Sequence, residues 1–381
     1  MGDEKKYGVL LIGGHGTHQE SYALSFADEP RCRLIAFADE KDAPPDRVEL
    51  NRGLAEELNL PYIPDLDEAL ARDDVQIVSL CVETERRGKV GVRCAEAGKH
   101  LYLDKPMALN VEDAQAIVAA VKQAGVRSQM FTNIHTPWAR TAWQALQEGA
   151  VGELRAIHCD VFFAKGHPGS APVGEKRKEK STVGRYTFIE AKREMFDVGV
   201  YAVTMVNWLT GKKVKSVYGT TANYFFEEHV GCDIEDFGTL MLTLDGGLTA
   251  TIAGGRMGWM SHPQGGVRRL HLVGTHDTLT LDPSQSRLEV FTDEPAFRPP
   301  PPHPLDPMGM WRSTQVESGM PPKRAWVSID EENALNEFSA FVDCIENEVE
   351  SEMNAEIAAE SIAVISAGYQ SAATGEVIEL G

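Results

Sequence analysis

One turn constrains this chain more than any other feature. Gly13-Gly14-His15-Gly16-Thr17-His18-Gln19 follows a short, wholly apolar run, Tyr7–Ile12, and leads into a helical pattern through Ala23, Leu24 and Phe26. Apolar runs then recur at Arg33–Ala38, Val75–Val82, His100–Leu103 and Ser128–Thr132, with helical patterns over Lys89–Ala97 and Val111–Ala124. Strands without polar alternation are buried on both faces, and helices between them supply the cover. The first 133 residues therefore predict a doubly wound α/β domain with a parallel sheet.

The texture changes near Gly152. Leu154–Ala164 reads as a long strand, and Phe196–Leu209 as a helix stopped at Gly211. Strand patterns follow at Lys215–Tyr224, Phe237–Thr243, Leu248–Gly254, Arg268–Val273, Thr278–Leu281 and Arg287–Phe291, separated by Gly-rich turns. Short turns between consecutive strands predict a mainly antiparallel, α+β second domain over 134–381. Gly166–Arg185, with its EKRKEK run, reads as a solvated loop, and Ala296–Pro322 as an extended proline-rich segment. Ala334–Ala373 reads as one helical segment that packs back on one of the domains.

Charge narrows the function classes. The 381 residues carry 37 basic and 57 acidic side chains, a net charge of −20. Such a surface repels phosphate backbones and anionic lipid, so nucleic acid and membrane surfaces are excluded as partners. The start, MGDEKKYGVLLIGG, lacks the basic region and apolar length of a secretory signal, and the six cysteines form no C-x-x-C pair. Reduced, buried thiols in a cytoplasmic protein are the expectation, with no metal.

The glycine turn can bring backbone amides and a helix N-terminus to a pyrophosphate. From Gly14 it reads G-x-G-x-x-Gln, without the third glycine of the dinucleotide fingerprint, and an ordinary glycine-rich turn reads the same way. Asp39 closes the second strand, where a carboxylate accepts both ribose hydroxyls of NAD and repels the extra phosphate of NADP; Lys41 nearby softens that discrimination. A plain strand-end turn also explains Asp39. Lys105 stands directly before Pro106 at a strand end, which can aim its ammonium at the crevice; a solvated lysine in a turn reads the same way. Asp197 and Tyr201, at i and i+4, share a helix face, and Gly199 between them allows close backbone approach. A lysine beside Tyr201 would lower the phenol pKa, so that Tyr201 takes a hydroxyl proton as hydride leaves the adjacent carbon. A tyrosine packed in an interface and a carboxylate answering a helix dipole remain the alternative. His167, Arg185, Arg256 and His262 lie in loops or strand ends that could face the cleft, with a surface position the alternative for each.

Taken together, AGKHLYLDKPMAL, QEGAVGELRAI, FDVGVYAVTMVNWLTG, DIEDFGTLMLTLDGG, HLVGTHDTLTLD and SAATGEVIEL resemble the glucose–fructose oxidoreductase, inositol dehydrogenase and rhizopine-catabolism family over nearly the whole chain. The resemblance implies a Rossmann-like first domain and a second domain with an open, mainly antiparallel sheet. The outer face of that sheet would make a homodimer or homotetramer. It implies an NAD(P)-dependent oxidoreductase acting on a secondary hydroxyl of a sugar, polyol or related cyclic alcohol, with NAD favoured over NADP. The family's Glu-Lys-Pro motif falls on Asp104-Lys105-Pro106. Its Asp-x-Gly-x-His motif falls on Asp197 to Tyr201, with the tyrosine of a known subgroup. Lys105, Tyr201 and Asp197 are thus the implied catalytic residues. Gly13, Gly14, Gly16, Thr17, His18, Asp39, Glu83, Thr84, Asp104, Lys105 and Pro106 are the implied cofactor contacts. Where most members read T-P-N-x-x-H, this chain has Val82-Glu83-Thr84-Glu85-Arg86-Arg87. Two rival functions stay open: redox-neutral glycosidic cleavage with retained NAD, and a non-catalytic dinucleotide sensor.

Overall fold

In the computed structural model the described residues are 7–14, 18–164, 193–224, 227–231, 233–257, 266–282, 287–291, 325–328 and 334–381. His15, Gly16, Thr17, His167, Arg185, His262, Cys232, the EKRKEK loop and the proline-rich segment lie outside them.

Six strands form the first sheet in the order β3-β2-β1-β4-β5-β6: β1 (Tyr7–Ile12), β2 (Cys32–Ala38), β3 (Tyr62–Ile63), β4 (Ile77–Leu80), β5 (His100–Leu103) and β6 (Ser128–Met130). Neighbouring strands in this sheet pair in parallel. Parallel neighbours require crossovers, supplied by α1 (Gln19–Asp28), α2 (Pro45–Glu57), α3 (Leu66–Leu70), α4 (Thr84–Glu96) and α5 (Val111–Ala124). Burial follows from cover on both faces: Val9 to Ile12 and Ile77 to Leu80 are wholly buried. The unread stretch between Asp39 and Val75 holds α2, whose start was marked by Pro45 at its first position, where a missing N–H costs nothing. Likewise Pro137 opens α6 (Pro137–Gln147).

The second sheet has nine strands in the order β14-β13-β12-β11-β7-β10-β9-β8-β15. They are β7 (Leu154–Ala164), β8 (Val214–Ala222), β9 (Phe237–Leu244), β10 (Thr249–Met257), β11 (Gly266–Gly274), β12 (Thr278–Asp282), β13 (Arg287–Phe291), β14 (Ala325–Ser328) and β15 (Ile378–Glu379). The expected antiparallel order holds except between β7 and β10, which run parallel because the chain crosses back through α7 (Val200–Thr210) before β8 and β9 are laid down. Gly211, in the left-handed region at φ 58°, ends α7 at the expected place. A short α8 (Glu227–Gly231) lies between β8 and β9.

The late helical segment is two helices, α9 (Glu337–Glu346) and α10 (Ala355–Thr374). Asn336 and Asn354 cap them by accepting from backbone N–H groups of the first turn, each cap contributing about 1 kcal/mol. Phe338, Phe341, Val342 and Ile345 of α9 fill one face of the first sheet with Tyr22, Phe26 and Tyr102. Helix α10 lies between β8, α5 and α7, so a single apolar core runs from the first sheet's other face into the second sheet.

Ahead of α7, Met195–Gly199 forms one π-helical turn. Its seat on the sheet is made by absent side chains: a Cβ on Gly254 of β10 would stand 2.9 Å from the Gly199 Cα. This is the close approach that Gly199 predicted. Gly254→Ala is accordingly expected to lift the turn and destabilise the protein by about 1–3 kcal/mol, read as a lowered urea midpoint at unchanged slope.

Candidate active site

The strand order reverses between β1 and β4, and ligands of open α/β sheets bind in the crevice that such a reversal opens at the carboxyl ends of the strands. Gly13 and Gly14 stand there with φ 63° and 98°, backbone that favours glycine. A Cβ on Gly14 would meet the Cys81 carbonyl oxygen and the Gln19 Cβ at 2.9 Å, so the turn lies flat on the end of β4 and leaves the crevice to a ligand's phosphates. The missing third glycine has a replacement. That glycine serves close helix–strand packing; here Gln19 is wholly buried and its Nε2 donates to the Ser79 carbonyl at 2.9 Å, while Ser79 Oγ donates to Gln19 Oε1 at 2.6 Å. Helix α1 is thereby tied to β4 by hydrogen bonds. His18 precedes the helix, and its Nδ1 lies 2.8 Å from Asp104 Oδ1.

Asp39 closes β2 and is buried, with Asn51 Nδ2 donating to both carboxylate oxygens at 3.1 Å and Tyr62 Oη donating at 2.8 Å. Burial pushes its pKa up to about 6, against the opposing pull of those donors. Around it, Glu40 accepts from Arg86 at 2.6 Å and Arg93 at 2.8 Å, and Glu83 pairs with Arg47 at 2.8 Å. Lys41 is drawn away to Asp65, at 2.8 Å. Helix α4 begins at Thr84 rather than Lys89, so the Glu83–Arg87 segment forms the start of that helix at the crevice. Both carboxylate oxygens of Glu85 are buried without a hydrogen-bond partner among the described residues.

Just beyond β5, Asp104 collects Arg87 at 3.1 Å, Tyr22 Oη at 2.8 Å and His18. Burial alone would raise its pKa; the Arg87 guanidinium and His18 outweigh it and hold the carboxyl well below the usual carboxylate range. Arg87 also donates to the carbonyls of Val82, Asp104 and Pro106, which pins the loop carrying Lys105. The Lys105–Pro106 bond is cis.

Lys105 is 7 % exposed, and its Nζ donates to Asp197 Oδ1 at 2.5 Å and to the Asp197 carbonyl. The same ammonium stands 4.9 Å from the centroid of the Tyr201 ring. Burial opposes the charge on Lys105, but Asp197 more than compensates and keeps it protonated. Asp197 in turn is held far below its ordinary range by Lys105 and Arg256, against the cost of burial. Tyr201 runs opposite to the expectation. Lys105 does pull its pKa down, but burial dominates and Asp104 and Asp197 add to it, so the phenol is pushed up to about 12. Phe131 and Phe163 meet the ring edge-on, at 6.2 and 6.0 Å between centroids.

Lys105, Asp197 and Tyr201 thus come together between the two sheets. Gly13, Gly14, His18, Asp39, Glu83, Thr84, Asp104 and Pro106 line or brace the crevice of the first sheet. Of the two readings the sequence left for Arg256, the structure takes the cleft-facing one: it is a partner of Asp197 and Glu194. Sequence reasoning also passed over Tyr22 and Glu194, and saw Arg87 only as part of the Val82–Arg87 departure. Only Tyr22 carried a signal, four residues after His18 on the same helix face.

Residues 7–132 match the oxidoreductase family with an NAD-binding Rossmann fold, and residues 139–280 match the GFO/IDH/MocA C-terminal domain. The chain belongs to the GFO/IDH/MocA oxidoreductase family. Among its relatives, a myo-inositol 2-dehydrogenase of Thermotoga maritima is 22 % identical over 77 % of this chain and 80 % of its own length. A D-apiose dehydrogenase of Paraburkholderia graminis is 24 % identical over 99 % of this chain and 90 % of its own. A solved levoglucosan dehydrogenase, in complex with NADH and levoglucosan, superposes at a TM-score of 0.71 with 20 % identity, over 98 % of this chain and 99 % of that one.

Within the GFO/IDH/MocA domain built on β1–β6, Asp39 couples stability to pH. A carboxyl whose folded pKa is raised stabilises the fold while protonated, and that contribution is lost as pH climbs through about 6. The difference from an ordinary aspartate corresponds to roughly 3 kcal/mol, of which weaker hydrogen bonding by an amide removes about 1. Asp39→Asn should therefore melt higher than the wild type at pH 8. The gap should close toward pH 4 in thermal unfolding followed by circular dichroism.

Proposed function

We propose that this chain is a cytoplasmic NAD-dependent dehydrogenase that transfers hydride between the nicotinamide and a secondary hydroxyl or carbonyl of a sugar, polyol or related cyclic alcohol. The observation that carries the reading is the buried Lys105 ammonium, held on Asp197 at 2.5 Å and over the Tyr201 ring at 4.9 Å. The dehydrogenases among its relatives support the substrate class. The bound cofactor supplies the hydride acceptor and, when oxidised, a positive charge.

Every other part of the chemistry belongs to the protein. Asp197 keeps Lys105 charged, and Lys105 stabilises the phenolate of Tyr201. The Tyr201 oxygen takes the substrate hydroxyl proton during oxidation and returns it during reduction. Gly13, Gly14, His18 and the α1 N-terminus hold the pyrophosphate. Asp39 takes the adenosine ribose, and Glu83, Thr84, Asp104 and Pro106 shape the nicotinamide end. Residues 1–133 form the cofactor half and 134–381 the substrate half, with α9 returning to the first sheet.

We further read the chain as a homodimer or homotetramer that associates through the open face of the nine-stranded sheet. Tyr218 and Met241 are cross-strand neighbours on that sheet, 38 % and 56 % exposed. No helix among the described residues is long and apolar enough to cross a membrane.

A panel of sugars and cyclic polyols, followed by absorbance of the reduced nicotinamide, tests the activity. Tyr201→Phe should lower kcat by about 100-fold or more, with NADH affinity by fluorescence titration unchanged. Oxidation by the wild type should speed up as pH rises, because the base works ionised. Wild-type turnover by Tyr201→Phe would remove the phenol from the chemistry.

A further inference from the structure

We infer that Arg256 is a positioning residue that acts through Asp197 on the acid–base pair; the inference rests on the reading of Lys105 and Tyr201 above. Arg256 comes from β10, whereas its partners stand on and just before the π-helical turn that lies across that strand. Its Nε meets the two oxygens of Glu194 at 2.7 and 2.9 Å, and its Nη2 donates to Asp197 Oδ2. Glu194 is 2 % exposed, with His229 Nε2 at 3.9 Å.

Asp197 is thereby divided between two cations, one oxygen to Arg256 and the other to Lys105. Lys105, Asp197, Arg256 and Glu194 alternate in sign and sum to zero. A carboxylate gripped on both oxygens cannot turn about its Cβ–Cγ bond. Without the guanidinium, both oxygens are free to face Lys105 and draw the ammonium away from the Tyr201 ring. Among the described residues the rest of the seat gives no substitute restraint: Gly199 and Gly254 contribute closeness but no polar side chain, and Glu235 holds the Met195 N–H and Arg193 rather than Asp197. A fork of donors can bridge two carboxylates where a point charge cannot. With Nε on Glu194 and Nη2 on Asp197, Arg256 is placed to orient the pair. The charged groups around Tyr201 are Lys105, Asp104, Asp197 and Arg268.

The test compares full-length wild type, Arg256→Gln, Arg256→Lys and Tyr201→Phe, measuring kcat and KM across the neutral and alkaline range, with NADH affinity by fluorescence. Arg256→Gln should lower kcat on the order of 100-fold with KM and NADH affinity little changed. Its acid limb should move to higher pH, because an uncompensated Asp197 disfavours the phenolate. Arg256→Lys should recover part of both losses. Unchanged kcat and limb in folded Arg256→Gln would overturn the inference, and so would a raised KM at constant kcat, the mark of a substrate-binding cation. If the glutamine variant does not fold, Arg256→Lys decides: a smaller shift of the limb is expected, and an unmoved limb refutes the role. Wild-type turnover in Tyr201→Phe would instead refute the underlying reading, whatever Arg256 does.

Discussion

The buried ion pair between Lys105 and Asp197 joins the two halves of the molecule at the proposed site of proton transfer. Lys105 follows β5 of the parallel sheet, and Asp197 rides the π-helical turn on the nine-stranded one. Removing one partner of such a pair leaves an uncompensated charge in the interior and costs about 3–5 kcal/mol, whereas an apolar replacement of both is often harmless to stability. A stability account therefore does not explain why charges sit here. A positional account does, since the ammonium is placed over the Tyr201 ring, where it offsets part of the burial that pushes the phenol pKa up.

The surroundings follow from that placement. Asp104 and Arg87 form a second buried pair one residue before Lys105, and Arg87 is satisfied largely by backbone carbonyls, which freezes the loop. Tyr22 and His18 extend the network from Asp104 to the glycine turn. Ring contacts run from His18 through Phe131 to Tyr201, 5.3 and 6.2 Å between centroids, so the cofactor crevice and the acid–base pair share one packed unit. On the far side, close glycine packing lets the π-helical turn lie on β10, and π-helical turns concentrate at functional sites.

Much of this was legible in the sequence because it depends on local rules. Apolar runs without alternation indicated buried parallel strands, and the dense strands after Gly211 indicated the second sheet. The i, i+4 spacing put Asp197 and Tyr201 on one face. Other features gave a local signal that was weak. Helix α2 and helix α6 announced themselves only by a proline at the first position, and the break between α9 and α10 only by Asn354, which caps the second of them.

The chain alone determined the fold class and the crevice at the strand reversal, and it singled out Lys105, Asp197 and Tyr201 as candidates, because periodicity and short motifs are properties of neighbours along the backbone. Three matters were decided only in three dimensions. Arg256 became a partner of Asp197, 59 residues away, because β10 passes under the π-helical turn. Gln19 took over the packing task of a missing glycine because Ser79 of β4 faces it. The phenol of Tyr201 was driven up rather than down because desolvation, which sums over everything packed around a group, outweighs one adjacent charge.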